Sequence, residues 1–310
     1  MTHPNEIVYV SERRAASISV AISVALLVVK FAAYMVTGSA AVFSDALESI
    51  VNVLASILAL YSIIVAHAPA DREHPYGHGK IEFLSAGFEG GMMLVAAVVI
   101  VARAIEALIR SKSIEQVNLG LTLLVVAMAI NGVVGMFLLN RGRAGGSITL
   151  EADGKHLLAD AVTSAVVLMA LVAVKVTGLH RIDAVAALLV AAYVAYAGLG
   201  LMRRSAAGLM DEQDLADDRL LRGILDAHVA GEPPRICSYH KLRHRHSGRY
   251  HWVDFHVMVP PGWDVERGHR VASSIEYEIE QALGEGNATA HVEPCADSRC
   301  PTCLAELPAA

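Results

Sequence analysis

The sequence predicts a membrane α-helical bundle of six transmembrane helices over residues 1–208, followed by a small α+β domain over 209–310. Three observations predict it. Hydrophobic residues make up 55% of the 310 and charged residues only 18%, a balance too apolar for a soluble protein of this length. The apolar residues gather into six blocks, at about 15–36, 40–66, 84–109, 118–139, 155–177 and 183–202. Each is near the roughly 20 residues that a helix needs to cross a bilayer. Beyond about residue 208 the blocks stop and short amphipathic periods replace them. The net charge of −6 offers no basic face for nucleic acid. Of the four cysteines, three lie near the C-terminus, which suits reduced thiols in a cytoplasm better than a disulfide framework.

No Ala-x-Ala-like cleavage site follows the first block, so it reads as a retained span. Gly38-Ser39, Gly142 to Gly146 and Gly178 supply the breaks. Six spans put both chain ends on one side. Arg13, Arg14, Arg72, Lys80, Arg141, Arg143, Arg203 and Arg204 flank that side, against Arg110, Lys112 and Arg181 on the other. Both termini are therefore expected in the cytoplasm, and the protein in the cell (inner) membrane.

The second block carries Asp45, Glu48 and Asn52 on one helical stripe, and the fifth carries His156 and Asp160 one turn apart. Ionisable groups inside a span are costly and face a bundle interior or a water-filled path. Glu48, Asn52, His156 and Asp160 offer three oxygens and one nitrogen, a donor set for a tetrahedral divalent metal, with Asp45 as a further candidate. The alternative is separate structural roles: Asn52 in an interhelical hydrogen bond, Asp45 near a helix start, His156 at an interface. Hydropathy puts Glu48 well inside its span but His156 near the start of its own. A shared site thus needs the fifth helix to begin earlier, around Ile148.

Between the second and third spans, Pro75, Gly77 and Gly79 make a compact loop in which Asp71, His74 and His78 could converge on one metal or simply be solvated. In the last hundred residues, Leu215, Leu220, Leu221, Ile224 and Leu225 fit one helix face. Ile236 to Leu242 and Tyr250 to Val259 read as strands joined by a Ser247-Gly248 turn. Val271, Ile275, Ile279 and Leu283 mark a second helix and Thr289 to Val292 a last strand. This α-β-β-α-β order makes a two-layer domain. His240, His256 and His291 sit on its strands and His269 at a helix start. Glu293, two residues past His291, shares its face. His244, His246 and His251, by the turn, are expected to be solvated. Cys295, Cys300 and Cys303 have C-x4-C-x2-C spacing that could hold Zn²⁺ or Cu⁺ as thiolates, or remain free in a mobile tail. No nucleophile–base set, phosphate loop or His-Glu-x-x-His helix appears, so the chain is not expected to be an enzyme.

Six spans, a polar pair on the second and fifth, the run His74-Pro75-Tyr76-Gly77-His78-Gly79-Lys80 and a histidine-bearing C-terminal domain together resemble the cation diffusion facilitators. The resemblance covers about residues 10 to 295. It implies a homodimeric divalent metal cation/proton antiporter that exports Zn²⁺ or a related ion from the cytoplasm; alternating access of the bundle is the mechanism expected for it. It further implies a transport site of Glu48, Asn52, His156 and Asp160, and a loop site of Asp71, His74 and His78. A third site of His240, His256, His269, His291 and Glu293 would lie in a ferredoxin-like, metallochaperone-like regulatory domain in the cytoplasm. Lys80 and Asp211 match an inter-subunit salt bridge. The chain departs from the family pattern where zinc exporters usually carry His or Asp, here Glu48, and Asp, here Asn52. That leaves Fe²⁺, Co²⁺, Ni²⁺, Mn²⁺ and Cd²⁺ open beside Zn²⁺. Glu293 also replaces the usual Asp. The rival class is a membrane-anchored metal sensor or storage protein, which gives no reason for His156 and Asp160 inside a span.

Overall fold

The structure is a computed structural model describing residues 4–37, 40–109, 117–177, 181–231, 235–297 and 299–305. Some helical side chains, those of 36–48 among them, are not described, so Asp45 and Glu48 lie outside the described set. The chain divides into two compact units, Met1–Leu209 and Met210–Ala310.

The first unit consists, among the described residues, of six long helices: α1 (Pro4–Thr37), α2 (Ala40–Ala66), α3 (Ile81–Ile109), α4 (Val117–Gly145), α5 (Ile148–Thr177) and α6 (Arg181–Leu209). Four contain a described stretch long and apolar enough to cross a membrane, Tyr9–Ala32, Ile81–Glu106, Val125–Gly145 and Ala187–Leu209. α2 adds a shorter one, Asn52–Ala66. Val28, Val98, Val133, Met169 and Leu189 all point outward and are more than half exposed. So many bare large apolar side chains on every side suit lipid, not water.

α5 begins at Ile148, seven residues before the apolar block that marks it in the sequence. Gly146 takes φ +73°, which ends α4 and reverses the chain. Ser147 then acts as N-cap, its hydroxyl accepting from the Leu150 N–H at 3.4 Å. Glu82 of α3 reaches across to the same helix start, accepting from the Ser147 hydroxyl at 2.8 Å and the Thr149 N–H at 3.4 Å. The first two turns of α5 are polar, so hydropathy passes over them, yet their charges are met: Arg204 of α6 donates to Glu151 at 2.6 Å and Ser19 of α1 donates to Asp153 at 2.7 Å.

The helices pack mainly in pairs, α3 on α6, α4 on α5 and α1 on α2. At two crossings the backbones touch. A Cβ on Gly154 would stand 2.6 Å from the Leu139 nitrogen and 2.9 Å from the Gly135 carbonyl. One on Gly90 would stand 2.8 Å from the Gly198 carbonyl. The small-residue run Gly87-Phe88-Glu89-Gly90-Gly91 is therefore used within the chain, against α6.

The second unit contains α7 (Leu215–Ala230), β1 (Ser238–Ser247), β2 (Tyr250–Val259), α8 (Val265–Leu283), β3 (Gly286–Pro294) and α9 (Pro301–Ala305). The sheet order is β1-β2-β3, with β1 antiparallel and β3 parallel to β2. The parallel pair needs a crossover, and α8 provides it. Leu221 and Leu225 of α7, Val271, Ile275 and Ile279 of α8, and Val253, Phe255 and Val257 of β2 form one buried core on one face of the sheet. Asp214 and Asp264 cap the two helices, accepting from the N–H of Ala216 and Arg267. β1 is bulged between His240 and Arg243, where Lys241 takes φ +52°.

Replacing Gly154 by alanine should push α4 and α5 apart and destabilise the first unit by about 1–3 kcal/mol. Loss of helical circular dichroism on heating in detergent reads this directly. Gly200→Ala, whose Cβ would meet nothing within 4 Å, should melt with the wild type.

Candidate metal sites

Inside the bundle, Asn52 of α2 lies between two side chains of α5. Its Nδ2 donates to Asp160 Oδ2 at 2.9 Å. The carboxylate can only accept, so this contact fixes which end of the carboxamide points where. The other end, Oδ1, faces His156 Nε2 at 3.0 Å and must accept from it. The imidazole proton therefore sits on Nε2, and a directed chain runs His156 to Asn52 to Asp160. His156 and Asn52 are buried, and His156 Nδ1 has no hydrogen-bond partner among the described residues. His156 Nε2 and Asp160 Oδ2 are 3.9 Å apart. Two ligands at ~2.1 Å from one ion can be at most ~4.2 Å apart, so both atoms can reach the same ion.

Two further acids surround this group and were not singled out by the sequence. Asp153, one turn before His156, is buried, and its Oδ1 has no hydrogen-bond partner among the described residues. Glu89 of α3 is equally buried and lies within electrostatic reach of Asp153 and Asp160. Ser23 and Ser19 both contact Ser56 of α2, at 3.1 and 3.3 Å, which continues the polar seam to α1.

In the loop between α2 and α3, Asp71 joins both histidines. Its Oδ1 is 3.3 Å from His74 Nδ1 and its Oδ2 3.3 Å from His78 Nε2. Oδ1 also accepts the N–H of His74 and of Glu73, a turn closed by the aspartate itself. The His74 N–H is the main cause that holds the Asp71 carboxyl below its ordinary value, keeping it ionised. The three candidate ligand atoms lie within 4.8 Å of one another.

In the second unit His240, His256 and His291 are register partners on adjacent strands and make one rung across the sheet. Glu293 closes the group: its Oε1 accepts from His256 Nδ1 at 2.8 Å and its Oε2 is 3.2 Å from His240 Nε2. His291 Nε2 is 3.7 Å from the same carboxylate. The hydrogen bond from His256 is the main cause that lowers the Glu293 carboxyl below its usual value. His269 stands outside this group on α8, its Nδ1 facing Ser273 Oγ at 3.5 Å. Asp211 pairs within its own chain with Arg245, at 3.5 Å.

The expectation of solvated histidines beside the hairpin turn is corrected. His244 is buried, and Asp217 of α7 lies 3.1 Å from His246 Nε2 and 3.2 Å from His251 Nδ1. The bulge at Lys241 is the reason. Without it His240 and His244, four residues apart, would share a face; the extra residue turns His244 to the helix-covered side and leaves His240 on the other. Asp217, His244 and His246 thus form a second cluster with metal-ligand spacing. The tail cysteines Cys295, Cys300 and Cys303 come together and gather a fourth, Cys237.

Burial, opposed by Asp217, holds the His244 imidazole below its ordinary value of 6.5. The unfolded chain then takes up this proton first, so the stability His244 contributes is complete above about pH 6.5 and is lost as pH falls below it. Trp252 and Trp263, the only two tryptophans, both lie in this unit. In chelated full-length protein the thermal midpoint of their emission should fall on acidification below that pH, and His244→Gln should flatten the fall. An equal slope in the variant would refute the assignment.

Residues 16–210 match the cation efflux transmembrane domain, and residues 225–295 the cytoplasmic domain of cation efflux proteins. The uncharacterized transporter sll1263 of Synechocystis is 36% identical over 92% of this chain and 91% of its own length. The cation-efflux pump FieF of Shewanella oneidensis is 29% identical over 89% of this chain and 92% of its own. Among solved structures, a CzrB chain is similar at 28% identity over 27% of this chain and 99% of its own, with a TM-score of 0.25. With a helical bundle that holds imidazole and carboxylates in its interior and a C-terminal domain matched separately, the chain belongs to the cation efflux, or cation diffusion facilitator, family of metal cation transporters.

Proposed function

We propose that this protein exports a divalent metal cation from the cytoplasm in exchange for protons, by alternating access of its six-helix bundle. It would act as a homodimer in the inner membrane with both termini, and the regulatory domain of residues 209–310, in the cytoplasm. The observation that carries the reading is the His156–Asn52–Asp160 chain inside an apolar bundle. An ion that binds His156 Nε2 must drive the proton on that nitrogen to Nδ1, so that the ring ligates as its other neutral tautomer, and one that binds Asp160 must displace the Asn52 amide. Metal and proton compete for the same atoms, because only deprotonated groups ligate. Glu48 would complete the donor set, and Asp45 lies one turn before it. Buried Asp153 and Glu89 place two more carboxyl groups beside this chain of contacts.

The donors are imidazole, carboxylate and carboxamide, with no thiolate. They suit Zn²⁺ first and also Fe²⁺, Co²⁺, Ni²⁺, Mn²⁺ and Cd²⁺. Asp71, His74 and His78 would take ions up at the membrane surface. His240, His256, His291 and Glu293 would hold the regulatory metal, and His269, outside the group within one chain, is available to complete a site shared by two copies. A bridge from Lys80 to Asp211 of a second copy would join the two chains. Metal bound in the C-terminal domains would then bias the conformation of the dimer.

The test is uptake into proteoliposomes under an imposed pH gradient, with the six metals in parallel. Flux should depend on the gradient, identify the metal, and fall to that of protein-free vesicles in Asp160→Ala and His156→Ala. Wild-type flux in Asp160→Ala would overturn the site. Binding without flux for every metal would move the protein to the sensor or storage class.

A further inference from the structure

Cys237 is far from the other three cysteines in sequence, but the sheet brings it to them. β1 starts and β3 ends beside the same end of β2. The Cys237 N–H donates to the Met258 carbonyl at 2.7 Å, and the Cys295 N–H to the Val259 carbonyl at 2.8 Å. The two residues thus flank the last residues of β2 from opposite sides. From Cys295 the chain turns back through Asp297, whose carboxylate accepts from the Arg299 N–H at 2.9 Å and whose carbonyl accepts from the Cys300 N–H at 3.1 Å. That turn delivers Cys300-Pro301-Thr302-Cys303 to the same place. All four thiols are free. Their sulfurs lie within 4.8 Å of one another, with Cys237 Sγ and Cys303 Sγ 3.4 Å apart. Four sulfurs at ~2.3 Å from one tetrahedral ion stand ~3.8 Å from each other, so the cluster has the size of such a site.

Two further observations point to a cation at its centre. The tail has almost no apolar reason to be ordered: within 295–305 only Cys300 and Thr302 are buried among the described residues. α9 has five residues, too few to stand alone as a helix. Four thiolates at this spacing would repel one another strongly, so the group can ionise as a whole only with a cation between its members.

We propose that Cys237, Cys295, Cys300 and Cys303 form a closed tetrathiolate zinc site that fastens the C-terminal tail onto the end of the sheet. Four sulfur ligands leave no open position, the mark of a structural zinc rather than a transported or catalytic one. The site is independent of the transport reading, since it uses none of the transport-site residues. On binding, Zn²⁺ releases the thiol protons to solvent and no redox change occurs.

The test uses the full-length chain in detergent, reduced and chelated, then reloaded with zinc. Alkylation counted by mass spectrometry should modify all four cysteines in the chelated protein and none after one zinc per chain has been added. Cobalt in place of zinc should give the near-ultraviolet sulfur-to-metal charge-transfer absorption that nitrogen and oxygen ligands do not give. Cys237→Ser should expose the three tail cysteines to alkylation despite zinc and weaken the cobalt absorption, whereas His256→Ala should change neither. Three results would overturn the proposal. The first is thiols that react equally with and without zinc, which needs no variant to fold. The second is protection that survives Cys237→Ser. The third is iron, in place of zinc, bound by the cysteines of the protein as isolated.

Discussion

The first unit is organised by one contact: the Asn52 carboxamide held between His156 and Asp160. In an apolar bundle an imidazole or a carboxylate that found no partner would cost several kcal/mol. Asn52 meets both, and it does so with a single orientation, because a carboxylate accepts only. A neutral amide here also keeps a second full negative charge away from Asp160, where Asp153 and Glu89 are already close. The amide at position 52 therefore has a structural meaning: it relays a hydrogen bond from the imidazole to the carboxylate.

For that contact to form, α5 must stand at the right depth against α2, and the constraints that set it lie elsewhere. Ser147 and Glu82 fix where α5 begins. Gly154 lets α5 touch the backbone of α4 two residues before His156. Arg204 and Ser19 satisfy the charges on the polar turns between. The placement of His156 and Asp160 is thus a consequence of how four neighbouring helices grip the first two turns of α5. A packing change at Gly154 alters it without touching a ligand.

The sequence made much of this legible. Block length and composition give the helices, since a bilayer of fixed thickness demands them. The spacing of Asn52, His156 and Asp160 gives a shared face, since helical periodicity does not depend on context. What escaped it was non-local. Asp153 and Glu89 read as ordinary polar residues near block ends until α1 and α3 are packed around them. Lys241 carries no signal of its left-handed conformation, as glycine would, so the bulge was invisible and His244 was assigned to the wrong environment. Cys237 stands 58 positions before Cys295 in the chain, and only the parallel pairing of β3 with β2 joins them. In each case the missing information was a strand register or a helix contact, not a residue preference.

The three kinds of donor set in this chain can be ordered by how readily they let an ion go. At the proposed bundle site the donors include the His156 imidazole, the Asp160 carboxylate and the Asn52 amide, which hydrogen-bond in sequence when no ion lies between them. On the open face of the sheet, a rung of histidines shares one carboxylate, and metal at the proposed site would have to displace its pairing with His256. The cysteines meet mainly one another, Cys237 Sγ lying 3.4 Å from Cys303 Sγ, and a cation is the partner that would let all four ionise together. Ligands with a hydrogen bond to return to would favour turnover at the first two sites, and four soft sulfurs that close every position around an ion would favour retention at the third. A chain that moved ions through its bundle could therefore keep one at its C-terminus, because a closed set of sulfurs and a set of oxygens and an imidazole with partners to return to differ in what lets an ion leave.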